Sequence, residues 1–221
     1  MPRTEFEQQL RDLQDEVLLM GSMVRRAIEH SMQALKARDM ELAQKVIEED
    51  ARINEKRFVI EEKCVHFIVR QQPVAGDLRL IICILNLITD LERIADHAEG
   101  IAKIVLMLGS EPPLKPLIDL PRMAEKAGGM LTRSLSAFIK RDEKAAREIC
   151  AEDDEVDALY DQVFRELLTF MLEDPRTITR ATRLLWVGHN LERIADRVTN
   201  ICERVVFLVT GKMEEIGASK Y

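Results

Sequence analysis

Four pairs of oxygen-bearing side chains stand four residues apart in this chain: Asp50 and Asn54, Glu92 and Asp96, Asp153 and Asp157, and Glu192 and Asp196. On an α-helix that spacing is ~40° of rotation and ~6 Å of rise, so the members of each pair share one face. Two of the pairs sit in a repeated hexapeptide, Leu91-Glu-Arg-Ile-Ala-Asp96 and Leu191-Glu-Arg-Ile-Ala-Asp196, whose copies lie 100 residues apart. Like charges at i, i+4 cost an isolated helix ~0.2–0.5 kcal/mol, so a chain that accepts the cost at matching places has a use for it. Grouped carboxylates raise one another's pKa unless a cation sits among them. Asp and Glu oxygens suit hard cations such as magnesium, calcium, manganese or iron better than zinc or copper(I). The chemistry implied is cation binding at two related sites. The plainer alternative is a set of solvated helix faces, because Arg93 and Asp96, and Arg193 and Asp196, stand at i, i+3 and can pair.

Catalytic readings find less support. Ferritin-like di-iron sites need Glu-x-x-His, and no Glu precedes His30, His66, His97 or His189 by three. His97 follows Asp96 directly and points ~100° away from it, as suits a surface or inter-helix histidine; His189 reads the same way. There is no glycine-rich phosphate loop, and no Ser or Cys nucleophile with a recognisable base. The ten methionines fall mostly at seam positions, as core filler. The expectation is a protein without catalytic residues.

The elements that position the acids are helices. Charged residues make up 32% and hydrophobic ones 47%, with only 9 Gly and 7 Pro, the profile of a helix-rich globular chain. Phe6, Leu10, Leu13, Val17, Met20, Val24, Ala27, Ser31 and Ala34 keep a four-three spacing and predict a first long helix capped by Thr4. Asp39 caps a second, running to about Gln72, and Asp77 a third, from about Leu78 to Leu108. Gly109 to Pro116 is proline-rich and divides the chain. The second half repeats the plan, with helices over about 117–140, 142–173 (capped by Asp142) and 177–210, Gly211 following the last. Lys212 to Tyr221 lacks periodicity and is expected to be loose. The architecture predicted is all-α: six long antiparallel helices in two tandem three-helix bundles, over residues 1–110 and 117–212.

Antiparallel helices joined by a tight turn let depth be counted from the turn. From Pro175, Asp153 lies 22 residues back and Asp196 21 forward, Asp157 18 back and Glu192 17 forward. At ~1.5 Å per residue, these pairs stand at one level. From a turn near Val74, Asn54 lies 20 back and Asp96 22 forward.

The net charge of -7 argues against a nucleic-acid surface. Cys64, Cys83, Cys150 and Cys202 are scattered, as buried thiols in a reducing compartment are. No apolar stretch follows a basic start, and the most apolar run, Leu80 to Leu87, is far below the ~20 residues that span a bilayer. The expectation is a soluble, cytoplasmic protein.

The two hexapeptides, the turns Arg70-Gln-Gln-Pro-Val-Ala-Gly-Asp-Leu-Arg79 and Met171-Leu-Glu-Asp-Pro-Arg-Thr-Ile178, and the tandem layout resemble the PhoU family, phosphate-transport accessory and regulatory proteins of bacteria. The resemblance covers essentially the whole chain. It implies two three-helix bundles, usually in a homodimer, and a negative regulator of the phosphate-starvation response. Such a regulator links the cytoplasmic ATPase of a phosphate ABC transporter to a sensor histidine kinase, and meets the membrane only through partners. The family's Glu/Asp-x-x-x-Asp motifs bind metal, in some members as iron or zinc clusters; iron, zinc, magnesium and manganese are not distinguished here. By position those motifs fall on Glu92, Asp96, Glu192 and Asp196, with Asp153 and Asp157 in support. Asn54 stands where the second half has Asp157, so the first site is expected to be the weaker. A metal-independent helical adaptor is the other reading.

Overall fold

A computed structural model of the chain describes residues 3–216, which are helical with no strand among them. The helices are α1 (Arg3–Ala37), α2 (Met40–Gln71), α3 (Ala75–Leu108), α4 (Asp119–Lys140), α5 (Glu143–Ala151), α6 (Asp153–Glu173) and α7 (Ile178–Thr210). Asp39 and Asp142 cap as their sequence predicts, accepting from the amides of Leu42 (2.9 Å) and Ala145 (3.0 Å). Gly211 ends α7 at φ 75°. Two other caps differ from expectation. Helix α1 already runs from Arg3, so Thr4 lies inside it. Helix α3 starts at Ala75, which leaves Asp77 in its first turn, where the helix dipole still favours a carboxylate. Of the tail, residues 217–221 lie outside the described residues. Lys212–Ile216 is non-helical but held, the Ile216 amide donating to Glu203 Oε1 (2.9 Å).

The expected single helix over 142–173 is two, α5 and α6, parted at Glu152. Four successive acids, Glu152 to Glu155, explain the break. Restarting the helix at Asp153 places Asp153, Asp154 and Glu155 in a first turn, where their charge is favourable. Glu152 itself forks onto Arg133 of α4. Counted as rods, the six expected helices remain.

The halves match closely. Val17, Ser31, Ala34, Asp39, Asp50 and Ile53 correspond to Leu120, Ser134, Ala137, Asp142, Asp153 and Val156, an offset of 103 residues, while the third helices match at 100. The α6–α7 hairpin is therefore three residues shorter than the α2–α3 one. Ser31 and Ser134, both fully buried, even share a bond, each hydroxyl donating to the carbonyl three residues back (2.9 and 2.8 Å).

Two three-helix bundles, α1–α3 and α4–α7, meet along a seam. Contacts between α3 and α7 step by seven: Cys83 with the Arg204 carbonyl (3.4 Å), Asp90 with Arg197 (3.6 Å), His97 with Asn190 (3.0 Å). Advancing on α3 retreats on α7, so the two are antiparallel, and the two hexapeptides lie side by side at the centre. Under them α1 crosses α4, with the Arg25 guanidinium over Gly128, where a Cβ would sit 1.7 Å from Nη1. Arg25 and Gly128 are the same position of the two repeats, so a local two-fold axis passes from that crossing to the hexapeptides.

This geometry divides each hexapeptide by function. Leu91, Ile94 and Ala95, like Leu191, Ile194 and Ala195, are at most 1% exposed and belong to one core continuous through both bundles. Ala195→Leu is expected to overpack the core and cost about 1–3 kcal/mol, measured as a lower denaturation midpoint with unchanged slope.

Candidate metal sites

The outer face of the molecule presents α2, α3, α7 and α6 in that order, with α1 and α4 beneath. Glu92 and Asp96 project from α3 toward α2, and Glu192 and Asp196 from α7 toward α6. Each acidic group therefore flanks the seam on its own side of the local axis.

In the first half Asp50 is buried. Its Oδ2 accepts from Asn54 Nδ2 (2.8 Å), while Asp50 Oδ1 and Asn54 Oδ1 are buried with no donor. Burial, then the charges of Glu99, Asp96 and Glu92, push the Asp50 carboxyl up to about 6. Glu92 lies 3.8 Å from Arg57 and 3.6 Å from Arg93, and Arg93 also reaches Asp96 at 3.5 Å. In the second half, burial and then the charges of Asp157, Asp196, Asp154 and Glu192 push Asp153 up to about 7. Asp153 Oδ1 again has no donor. Arg193 holds Asp196 at 2.6 Å, and His189 Nδ1 lies 3.0 Å from Glu192. The structure thus brings Asp50 within electrostatic reach of Glu92 and Asp96, and Asp153 within reach of Asp157, Glu192 and Asp196.

Among the described residues, no three His, Cys, Asp or Glu side chains close on one point as ready ligands. The residues nonetheless fit a hard cation. A buried acceptor without a donor costs ~1–3 kcal/mol, and three such oxygens occur here, all on the helices facing the hexapeptides. A cation among them would satisfy the oxygens and cancel the repulsion that raises Asp50 and Asp153.

Comparison with known proteins gives this geometry its family. The PhoU domain model matches residues 17–105 and again 120–205, reproducing the 103- and 100-residue offsets of the two halves. The chain belongs to the PhoU family. It is 40% identical over 217 residues to a phosphate-specific transport system accessory protein PhoU homolog of Clostridium acetobutylicum, covering 98% of this chain and 99% of that one. It is 36% identical to the Escherichia coli phosphate-specific transport system accessory protein PhoU, covering 94% and 86%. The crystal structure of PhoU from Pseudomonas aeruginosa superposes with a TM-score of 0.89 at 36% identity, covering 94% of this chain and 100% of that one.

The two PhoU repeats are not equal here. Beside the first acidic group, α2 carries Arg57 at the level of Glu92; the equivalent residue of α6 is Tyr160, whose hydroxyl is pushed up by burial and by Glu192. The first group gains Glu99, where the second has Thr199. With Asn54 and Arg57 against Asp157 and Tyr160, the second group carries the larger unbalanced negative charge. Sequence reasoning missed Glu99, Arg57 and His189. A signal for the last was present, since His189 precedes Glu192 by three and shares its face.

The raised Asp153 sets a pH dependence for metal-free protein. Folding favours its protonated form, so this contribution falls as pH rises from about 4 to about 7 and stays low above. Raising the carboxyl from its ordinary value to about 7 corresponds to ~4 kcal/mol, and partial solvent access reduces it to about 1–2. In chelator, Asp153→Asn is expected to be more stable than the parent by that amount at pH 8 and to lose the advantage at pH 4, measured by denaturant titration at both values.

Proposed function

We propose that this chain is an accessory protein of a phosphate-specific transport system. It acts in the cytoplasm as a negative regulator of phosphate uptake and of the phosphate-starvation response. In this reading a homodimer docks between the cytoplasmic ATPase subunit of a phosphate ABC transporter and a sensor histidine kinase. Metal held by Asp153, Asp157, Glu192 and Asp196, and more weakly by Asp50, Asn54, Glu92 and Asp96, fixes the face that partners recognise. Relatives over nearly the full chain carry the accessory-protein name, which supports the transport assignment. The observation that carries the metal is the set of donorless buried oxygens, Asp50 Oδ1, Asn54 Oδ1 and Asp153 Oδ1, of which the first and last are equivalent across the local axis.

Bound metal would supply charge neutralisation and a rigid cross-link between facing helices. The protein's own part is to present oxygens from two helices at one level and to keep that level fixed through the seam. A metal-independent adaptor is favoured by a different observation: Arg57, Arg93, Arg193 and His189 already lie within 4 Å of Glu92, Asp96, Asp196 or Glu192.

Elemental analysis of protein purified without chelator separates the two. The metal reading expects near-stoichiometric metal in the parent, lost from Glu192→Ala/Asp196→Ala, together with weaker capture of the transporter ATPase subunit. A metal-free parent that captures the subunit normally would establish the adaptor instead. Because carboxylates must shed protons to bind, metal content should also fall between pH 7 and pH 5.

A further inference from the structure

A cavity of about 220 Å³ lies under the segment that joins the repeats. Its walls are apolar: Leu35 of α1, Val105 and Leu108 of α3, Leu184 of α7, and Leu114 and Leu117 of the connecting segment. Its rim is cationic. Lys36, Arg38, Lys115 and Arg180 border it against one acid, Glu111, in a chain whose net charge is -7. Two of these four cations, Lys36 and Arg38, are not spent on carboxylates. Among the described residues Lys36 has no ion-pair partner. Arg38 donates only to a neutral carbonyl, that of Glu111 (3.3 Å). Arg180 reaches the Glu111 carboxylate at 3.6 Å and the Pro112 carbonyl at 3.2 Å, and Lys115 pairs with Glu166.

The roof of the cavity is fixed rather than loose. Arg38, Arg180 and Arg183 hold the carbonyls of Glu111, Pro112 and Met107, the last at 2.6 Å, and the three prolines Pro112, Pro113 and Pro116 stiffen the run. An apolar chamber with a fixed roof and a mainly cationic rim is the pattern of a small-ligand site.

We propose that this cavity binds a small amphipathic oxyanion: a short alkyl body against the leucines, with a carboxylate or phosphate head at Lys36 and Arg38. The guanidinium fork of Arg38 matches either head. The volume is below the ~300–1,000 Å³ of sites for drug-sized ligands, which limits the body to a short chain. Because the cavity is walled by both repeats and roofed by their connection, an occupant bridges the two halves and stabilises them together.

Thermal shift and titration calorimetry with octanoate, octyl phosphate, octanol and octylamine, each below its micellar concentration, test this directly. Octanoate or octyl phosphate should bind saturably, and comparing them identifies the head. Octanol and octylamine should bind at least tenfold more weakly. Lys36→Glu removes a charge that has no ion-pair partner, so it should leave the unliganded melting temperature unchanged and weaken the anion about tenfold. Amide NMR shifts should centre on Gly109 to Leu117. Equal binding of octanol, undiminished binding to Lys36→Glu, or shifts centred elsewhere would each overturn the proposal. If Lys36→Glu proves unstable, Arg38→Gln replaces it, with the same criterion.

Discussion

Everything on the outer face depends on the burial of three apolar side chains in each hexapeptide. Leu, Ile and Ala of both copies face inward into the core, and that burial sets the rotation of both helices. Once rotation is set, Glu92, Asp96, Glu192 and Asp196 have one direction left, outward and toward α2 or α6. At ~25 cal/mol per Å² of apolar surface removed from water, the inward half easily outweighs the few tenths of a kcal/mol that the outward like charges cost. Seven-residue steps between Cys83, Asp90 and His97 and their partners show that the same register holds along the helices.

Polar pairs on the seam give that apolar contact its register. Asp90 takes both Arg197 and Asn200, while at the mirrored place Asn190 meets His97, whose ring pKa burial pushes down. A slip by one helical turn would leave a buried carboxylate without its cation, a larger loss than the pair itself gains. The charged end and the neutral end also differ, so the two halves are distinguishable although their backbones repeat.

Much of this was legible in residues alone. Capping by Asp39 and Asp142 followed from type and place, and counting back and forward from Pro175 put Asp153 near Asp196, whose charge it feels. What failed did so for local reasons. The break at Glu152 depends on the balance between helix continuation and a run of four acids, which periodicity does not register. Asp77 lost its capping place because Val74 adopts the extended backbone that starts the helix earlier. Arg57 and Glu99 went unnoticed since each is an ordinary charge on a charged helix until a facing helix gives it a neighbour. The antiparallel seam was out of reach for a further reason: a repeat specifies each half, but not which surfaces the halves turn to one another.

The crossing of α1 and α4 carries an implication about ancestry. Position 25 and position 128 are one site of the repeat, and they meet on the local axis as arginine and glycine. Had two identical half-length chains assembled this way, whatever stood there would have met itself. Two glycines leave room; two arginines would set like charges head to head in a half-buried place. Joining the halves in one polypeptide removes that constraint of self-complementarity. The arginine–glycine contact is thus open to a fused chain and closed to a symmetric pair of first halves, and it marks where the two repeats stopped being interchangeable.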